Sequence, residues 1–149
     1  GQAALQLARE AGVTVIGTAG EANHDLVRSL GATPTTYSDG LPARVAELAA
    51  DGVTGVFDAA GTSLDELLEI AGDPARIVTI ANFAAAGRGV RVSGGGARAY
   101  DVLDEVADLA SRGLFAITVA DTFPLADAAS AHTLAATGHA GGKVVLTVD

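Results

Sequence analysis

Short apolar segments rich in β-branched residues alternate with helical patterns along most of this chain. The centres of three such segments lie near residues 15, 56 and 78, and a helical pattern follows each of them. A strand that is followed by a crossover helix pairs in parallel with another strand of the same sheet. The order therefore predicts an α/β fold, a doubly wound parallel sheet with helices on both faces. The first of these segments, residues 13–19, lacks strict apolar–polar alternation, which is typical of a strand covered on both sides.

The bounds of the elements follow from the same patterns and from glycine and proline at their ends. We expect Pro42 in the first turn of a helix, where proline is tolerated, and a capping box between Ser63 and Glu66. The predicted strands are residues 13–19, 33–37, 52–61, 75–83, 90–93, 115–120 and 143–148. The predicted helices are residues 1–10, 21–32, 41–50, 63–72, 99–113 and 124–138, with a break at the glycines 94–96. From about Thr118 the pattern changes, and we expect this last part to belong to a different sheet.

The first helical pattern begins at Gly1, which is followed closely by the small residues Ala3 and Ala4. In a dinucleotide-binding fold, a central strand leads into a glycine-rich turn, and the pyrophosphate lies at the N-terminus of the next helix. We interpret Gly1 as the last glycine of that turn, so that these residues lack the first strand and the glycine-rich turn. The buried side chains of such a strand contribute roughly 5 to 10 kcal/mol. We therefore expect residues preceding Gly1, or another chain, to supply it.

Composition excludes several other functions. The formal net charge of −9 disfavours nucleic acid and anionic membranes as partners. The chain has no cysteine, which excludes disulfides and thiolate zinc sites within it and is typical of a reducing compartment. No apolar run approaches the roughly 18 to 20 residues of a membrane span, and we expect a cytoplasmic globular domain. His24, His132 and His139 lack the spacing of metal ligands, so no metal site is predicted.

Four stretches together resemble the zinc-independent quinone oxidoreductase branch of the medium-chain dehydrogenase/reductase superfamily. They are residues 1–32, "VFDAAG" (56–61), "ARIVTIANF" (75–83) and "TFPLADAASAHTLAATGHAGGKVVLTV" (122–148). Members of that family carry a GroES-like catalytic domain before a Rossmann domain. The resemblance implies that this chain is the C-terminal, cofactor-binding half: residues 1–117 belong to the truncated Rossmann domain, and residues 118–149 return to the GroES-like domain. It also implies hydride transfer from NADPH to a quinone or an α,β-unsaturated carbonyl, in a homodimer joined through the "GVRVS" edge (89–93).

The end of the segment 13–19 is the first candidate site. It carries no carboxylate for a ribose 2′-hydroxyl, which disfavours NAD and permits NADP. The NADP-preferring members usually have Lys or Arg where this chain has Ala22 or Asn23, which leaves Thr18 and Asn23 as polar candidates. By the resemblance, Tyr37 reaches the adenosine phosphate. The alternative is that Thr18 only ends a strand and Asn23 only starts a helix. The candidates for this adenosine end are Thr18, Ala19, Gly20, Asn23 and Tyr37, with Gly1 for the pyrophosphate.

The ends of the segments 52–61 and 75–83 form the second candidate site. By the resemblance, they surround the nicotinamide ribose and the carboxamide, where small side chains let the cofactor approach. A simple strand-to-helix turn is the alternative. We interpret Asp58 as structural rather than as a general base, and we assign no catalytic residue, because the cofactor supplies hydride chemistry. The candidates for this nicotinamide end are Ala59, Ala60, Gly61, Ala81, Asn82 and Phe83.

Two other functions stay open. The chain could be a catalytically inert fragment or degenerate homologue that acts as a binding or dimerisation module, because it lacks the glycine-rich turn and a cation for the 2′-phosphate. A methyltransferase with a related sheet is weaker, because residues 123–148 have no place in that fold.

Overall fold

The computed structural model describes residues 1–61, 63–94, 100–138 and 140–148, with only the backbone of residues 100 and 101. His139 and the glycines 95 and 96, which the sequence singled out, lie outside the described residues. The helices are α1 (Gln2–Glu10), α2 (His24–Ser29), α3 (Leu41–Leu48), α4 (Leu64–Ala71), α5 (Tyr100–Ser111) and α6 (Ala128–Ala136). The strands are β1 (Ile16–Thr18), β2 (Thr33–Thr35), β3 (Val56–Asp58), β4 (Ile77–Thr79), β5 (Arg91–Val92), β6 (Val119–Pro124) and β7 (Lys143–Thr147).

All strand pairs among the described residues are parallel, as the alternation of strands and helices predicted. The pairs form three sheets, β1–β2, β3–β4–β5 and β6–β7. In the first sheet Thr18 is the register partner of Thr35, and in the second Asp58 is the partner of Thr79. The carboxyl ends of β1 to β4 carry most of the predicted site residues, since each of those residues follows its strand directly.

β1 and β3 are not hydrogen-bonded to each other within the described part of the chain. In the doubly wound strand order 3-2-1-4-5-6, the strands that correspond to β1 and β3 flank the first strand. The fold is therefore the Rossmann-type sheet without that strand, divided into two half-sheets. Phe57, in the middle of β3, is 49% exposed, although a strand at this place in a doubly wound sheet is normally buried. We call the space between β1 and β3 the seam.

The best-packed core lies on the second half-sheet. Ile77 of β4 is completely buried, and Ala71, Ala85 and Val90 close around it. Apolar residues of α4 and Val56 of β3 complete the cluster. β4 lies between β3 and β5, which explains why it is the most buried strand of this sheet. The loops after β3 and β4 therefore follow strands that take part in this packed core.

α1 is attached by polar contacts as well as by apolar ones, such as that of Leu5, whose methyl groups lie 3.6 Å from the position of a Cβ on Gly17. Gln6 is buried and makes a pair of hydrogen bonds with Ala116: its Nε2 donates to the carbonyl at 3.0 Å, and its Oε1 accepts from the backbone N–H at 2.8 Å. Arg9 donates to the Leu114 carbonyl at 2.8 Å. Gln6 and Arg9 together therefore hold residues 114–116 against α1.

Several predicted bounds were wrong. The strands of segments 13–19, 52–61 and 75–83 are reduced to three residues each, and Phe83 starts a 3-10 turn (Phe83–Arg88) instead of ending a strand. The strand predicted at residues 115–120 begins only at Val119, as β6. The residues before it are not part of the strand, because the backbone of Ala116 hydrogen-bonds to the Gln6 side chain instead.

The predicted capping box is also wrong. Ser63 is the N-cap residue of α4, but its side chain makes no capping hydrogen bond. Its backbone (φ −23°, ψ 89°) departs from the extended conformation that N-cap residues usually adopt, so the hydroxyl cannot reach the first turn.

No helix in the described ranges is long and apolar enough to cross a membrane.

Candidate functional site

The adenosine end is assembled at the carboxyl ends of β1 and β2. The Ala19 N–H donates to the Thr35 carbonyl at 2.9 Å, which continues the pairing of the two strands beyond Thr18. The hydroxyl of Tyr37 lies 3.9 Å from the position that a Cβ atom would take on Gly20. The structure therefore brings Tyr37 into contact distance of the loop after β1. Both Thr18 and Tyr37 are exposed and accessible to a ligand at this edge.

Asn23 ends the short 3-10 turn Glu21–Asn23 that leads into α2. Its backbone N–H donates to the Gly20 carbonyl at 2.8 Å, and its side chain makes no capping hydrogen bond to α2. The side chain is exposed at the same edge as Gly20, and Asn23 is the N-cap residue of α2, so it does stand at a helix start. His24, the first residue of α2, is half-buried, with Nε2 3.3 Å from the Ala19 carbonyl.

The nicotinamide end centres on Asp58, the last residue of β3. Asp58 is only 6% exposed, and its carboxylate is fully engaged. The N–H groups of Ala60 and Gly61 donate to Oδ1 at 3.0 and 2.8 Å, and the Thr79 hydroxyl donates to Oδ2 at 2.7 Å. A carboxylate held in this way is a backbone anchor and not a general base, which agrees with the interpretation from the sequence.

Thr79 repeats the arrangement at the end of β4. Its Oγ1 accepts from the N–H groups of Ala81 and Asn82 at 3.1 and 3.0 Å, and the residue is 1% exposed. One side chain at each strand end thus fixes the turn that follows, and the bond from Thr79 to Asp58 joins the two turns. The sequence analysis missed Thr79. The sequence pattern that could have indicated Thr79 is a hydroxyl residue at the end of a buried strand, two residues before a turn.

The two fixed turns touch each other and present small side chains. Gly61 has φ +75°, and a Cβ atom on it would lie 3.3 Å from the Cβ of Ala81. The turn residues Ala59, Ala60, Gly61 and Ala81 are thus small and exposed, whereas Asn82 is half-buried and the Phe83 ring is 62% exposed.

Gly1 precedes α1, and its carbonyl accepts from the N–H of Leu5 at 3.2 Å. The first N–H groups of α1 have no partner inside the helix, as at any helix start. Gly1 is thus the N-cap residue of α1, and the two ends of the candidate site lie on different half-sheets.

The described residues contain no group of three or more histidine, cysteine, aspartate or glutamate side chains that could hold a metal ion. His132 is exposed on α6.

Comparison with known proteins gives one family. The model of a zinc-binding dehydrogenase family matches residues 30–146. No curated protein matches the chain. Among solved structures, an NAD-dependent alcohol dehydrogenase is 24% identical with a TM-score of 0.83. The match covers 99% of this chain and 48% of the dehydrogenase chain. The quinone oxidoreductase of Coxiella burnetii is 28% identical with a TM-score of 0.78, and the match covers 100% of this chain and 49% of that one.

A mycobacterial protein complexed with NADPH is 22% identical with a TM-score of 0.69; the match covers 97% of this chain and 52% of that protein. The chain therefore spans about half the length of the structures that it matches.

Proposed function

The chain belongs to the zinc-binding dehydrogenase family, and from that membership we propose that it is the cofactor-binding half of an oxidoreductase. In this proposal the full-length protein transfers hydride from NADPH to a quinone or an α,β-unsaturated carbonyl. The similarity to the Coxiella quinone oxidoreductase supports the substrate class.

The single observation that supports cofactor binding most strongly is the bond between Thr79 and Asp58. This bond fixes the turns after β3 and β4 side by side. Ligands of open α/β sheets bind outside the carboxyl ends of the strands, which is where these turns lie. Small side chains on both turns, together with the exposed ring of Phe83 that follows in the chain, suit a planar nicotinamide that must approach the backbone closely.

The bound cofactor supplies the hydride. The residues of this chain bind and orient it: the start of α1 with Gly1 would hold the pyrophosphate, and the turns at Ala59–Gly61 and Ala81–Phe83 would position the nicotinamide ribose and carboxamide. Asp58 is not available for proton transfer, because its oxygens accept three hydrogen bonds. We therefore place the groups that contact the substrate in the GroES-like domain.

We propose NADPH over NADH because no carboxylate stands at the end of β1 to accept the ribose 2′-hydroxyl. Thr18 and Asn23 are exposed at this edge and can donate hydrogen bonds to a 2′-phosphate. The relative complexed with NADPH supports this choice, and the NAD-dependent relative makes it worth testing.

We also propose a homodimer in the cytoplasm. β5 is paired with β4 on one side only within the described residues, so its other edge can continue the sheet into a second copy. The lack of cysteine fits a reducing compartment.

Light scattering on the full-length protein should give twice the monomer mass. Val92→Pro, which removes a backbone N–H from β5, tests whether this edge carries the dimer.

Fluorescence titration of the full-length protein with NADPH and NADH tests the proposed function. We expect NADPH to bind at least about tenfold more tightly, a difference of about 1.4 kcal/mol, and to be oxidised when a benzoquinone or an enone is added. Absence of binding to both dinucleotides would remove the oxidoreductase proposal. Equal affinities would remove only the preference for NADPH, and binding without turnover on either acceptor class would favour the inert module instead.

A further inference from the structure

The loop after β2, residues 36–40, is held by one side chain. The guanidinium of Arg44, in the first half of α3, donates from Nη2 to the carbonyls of Thr36 at 3.0 Å and Ser38 at 2.6 Å. Its Nη1 donates to the carbonyl of Asp39 at 2.8 Å. The Ser38 hydroxyl lies 3.4 Å from Nη2 as well. Three carbonyl groups of a short loop therefore converge on a single cation.

This contact is not an ordinary surface ion pair. The four ion pairs among the described residues involve other arginines, and Arg44 is in none of them. Its Nε is buried without a hydrogen-bond partner. Guanidinium groups are planar and present their donors in a fixed fork, so the positions of the three carbonyls are coupled to each other. Lysine has no such fork and cannot reproduce the arrangement.

The loop that Arg44 fixes belongs to the adenosine end of the candidate site. It begins directly after Thr35, whose carbonyl accepts the N–H of Ala19 at the end of β1. It carries Tyr37, whose hydroxyl lies against Gly20. Tyr37 itself is more than half exposed, so little besides the loop backbone fixes where its ring stands. The conformation of this loop thus decides whether Tyr37 faces a ligand bound across β1 and β2.

We propose that Arg44 is a positioning residue for the adenosine half of the dinucleotide, acting through the loop of residues 36–40 and Tyr37. The inference rests on the proposed function, because it assigns Arg44 to the same cofactor site. Arg44 does not touch the cofactor in this assignment. It holds three carbonyls away from the ligand and presents Tyr37 to it.

The test uses Arg44→Gln and Arg44→Lys in the full-length protein, with Arg76→Gln as the control. Arg76 is exposed before the amino end of β4, at the opposite edge of the sheet, and the control removes the same charge. We expect Arg44→Gln to raise KM for NADPH about tenfold, the effect of losing one or two well-placed hydrogen bonds, with kcat unchanged. The affinity for adenosine 2′,5′-bisphosphate, measured by competition, should fall by the same factor. Arg44→Lys should resemble Arg44→Gln, and Arg76→Gln should resemble the wild type.

A second measurement follows the loop without any cofactor. Chymotrypsin should cleave after Tyr37 several-fold faster in Arg44→Gln than in the wild type or in Arg76→Gln, with the cut located by mass spectrometry. Unchanged cleavage would overturn the proposal, and so would an unchanged KM in a variant whose loop has opened. Full rescue by lysine would overturn it too, since charge alone would then suffice. A wild-type protein that binds neither dinucleotide would instead refute the proposed function.

Discussion

The hydroxyl of Thr79 donates a 2.7 Å hydrogen bond to the carboxylate of Asp58, across the register pair that joins β3 and β4. Both side chains are buried, and each also accepts two backbone N–H groups from the turn that follows its own strand. Buried polar groups linked in this way stabilise a site only while every member keeps its partner. A change at either residue should therefore disturb both turns.

Thr79→Val keeps the shape of the side chain and removes the hydroxyl. It leaves the N–H groups of Ala81 and Asn82 and one oxygen of Asp58 without their partner. We expect the free energy of unfolding to fall by about 2 to 3 kcal/mol and the affinity for NADPH to fall at least tenfold, measured by urea denaturation and fluorescence titration. Thr133→Val is the control, because that exposed hydroxyl bonds only within α6, and it should cost less than about 0.5 kcal/mol. Equal stability of the two variants would contradict the assignment.

Gly61→Ala tests the contact between the two turns. Gly61 has a left-handed backbone, and an added Cβ would lie 3.3 Å from that of Ala81. Gly72 has a similar φ of +68°, with nothing within 4 Å of an added Cβ. We expect both alanine variants to lose about 1 kcal/mol of stability through backbone strain. Only Gly61→Ala should also weaken NADPH binding, since it alone pushes the turns apart. Matching affinities in the two variants would show that the surface tolerates the extra atom.

Gln6→Glu tests the attachment of α1. In the wild type, one amide group both donates to and accepts from the backbone of Ala116. A carboxylate can only accept, so one oxygen would face the Ala116 carbonyl in a buried place. We expect a loss of about 2 to 4 kcal/mol at pH 7, in thermal or urea unfolding. Gln2→Glu changes an exposed bond to the Gly141 carbonyl and should cost under about 1 kcal/mol. A cost for Gln6→Glu no greater than that of Gln2→Glu would be inconsistent with the buried pair.

Phe57→Ala tests the seam. In residues 1–149 alone, the ring is half exposed, and its removal should cost no more than about 1.5 kcal/mol. In a longer protein whose extra strand fills the seam, the same change creates a cavity, and we expect a cost of about 3 to 5 kcal/mol. Urea denaturation of both lengths gives the comparison. Similar costs at both lengths would mean that nothing covers Phe57.

The fold followed closely from the sequence because it depends on patterns that repeat. The alternation of apolar segments and helical patterns fixes parallel pairing, and the helix around Pro42 starts where proline is tolerated. Strand ends were harder to place. Val13 and Ile80 are as apolar as strand residues, yet both are about half exposed and lie outside the strands. Ile80 still donates its N–H to the Asp58 carbonyl of β3 at 3.0 Å.

The turns after β3 and β4 lie side by side, because parallel strands end at the same edge of a sheet. The side chains that hold them in place were less visible. Thr79 acts on the side chain of Asp58 in the neighbouring strand, and Arg44 acts on the backbone of the loop before its helix. Such pairs depend on register and loop path rather than on a fixed spacing along the chain. Gln6 was missed for a similar reason: amphipathic spacing assumes that a buried helix face is apolar, whereas Gln6 is buried against the backbone of Ala116.

The division of the sheet into two halves bears on the distance between the two ends of the candidate site. The adenosine end is fastened to β1 and β2, and the nicotinamide end to β3 and β4, with no ladder of backbone hydrogen bonds between the two pairs in the described residues. Neighbouring strands lie about 4.8 Å apart, so one inserted strand would hold β1 and β3 about 10 Å from each other. Such a strand would set the distance between the two half-sheets, and with it the distance between the sites for the two halves of a dinucleotide.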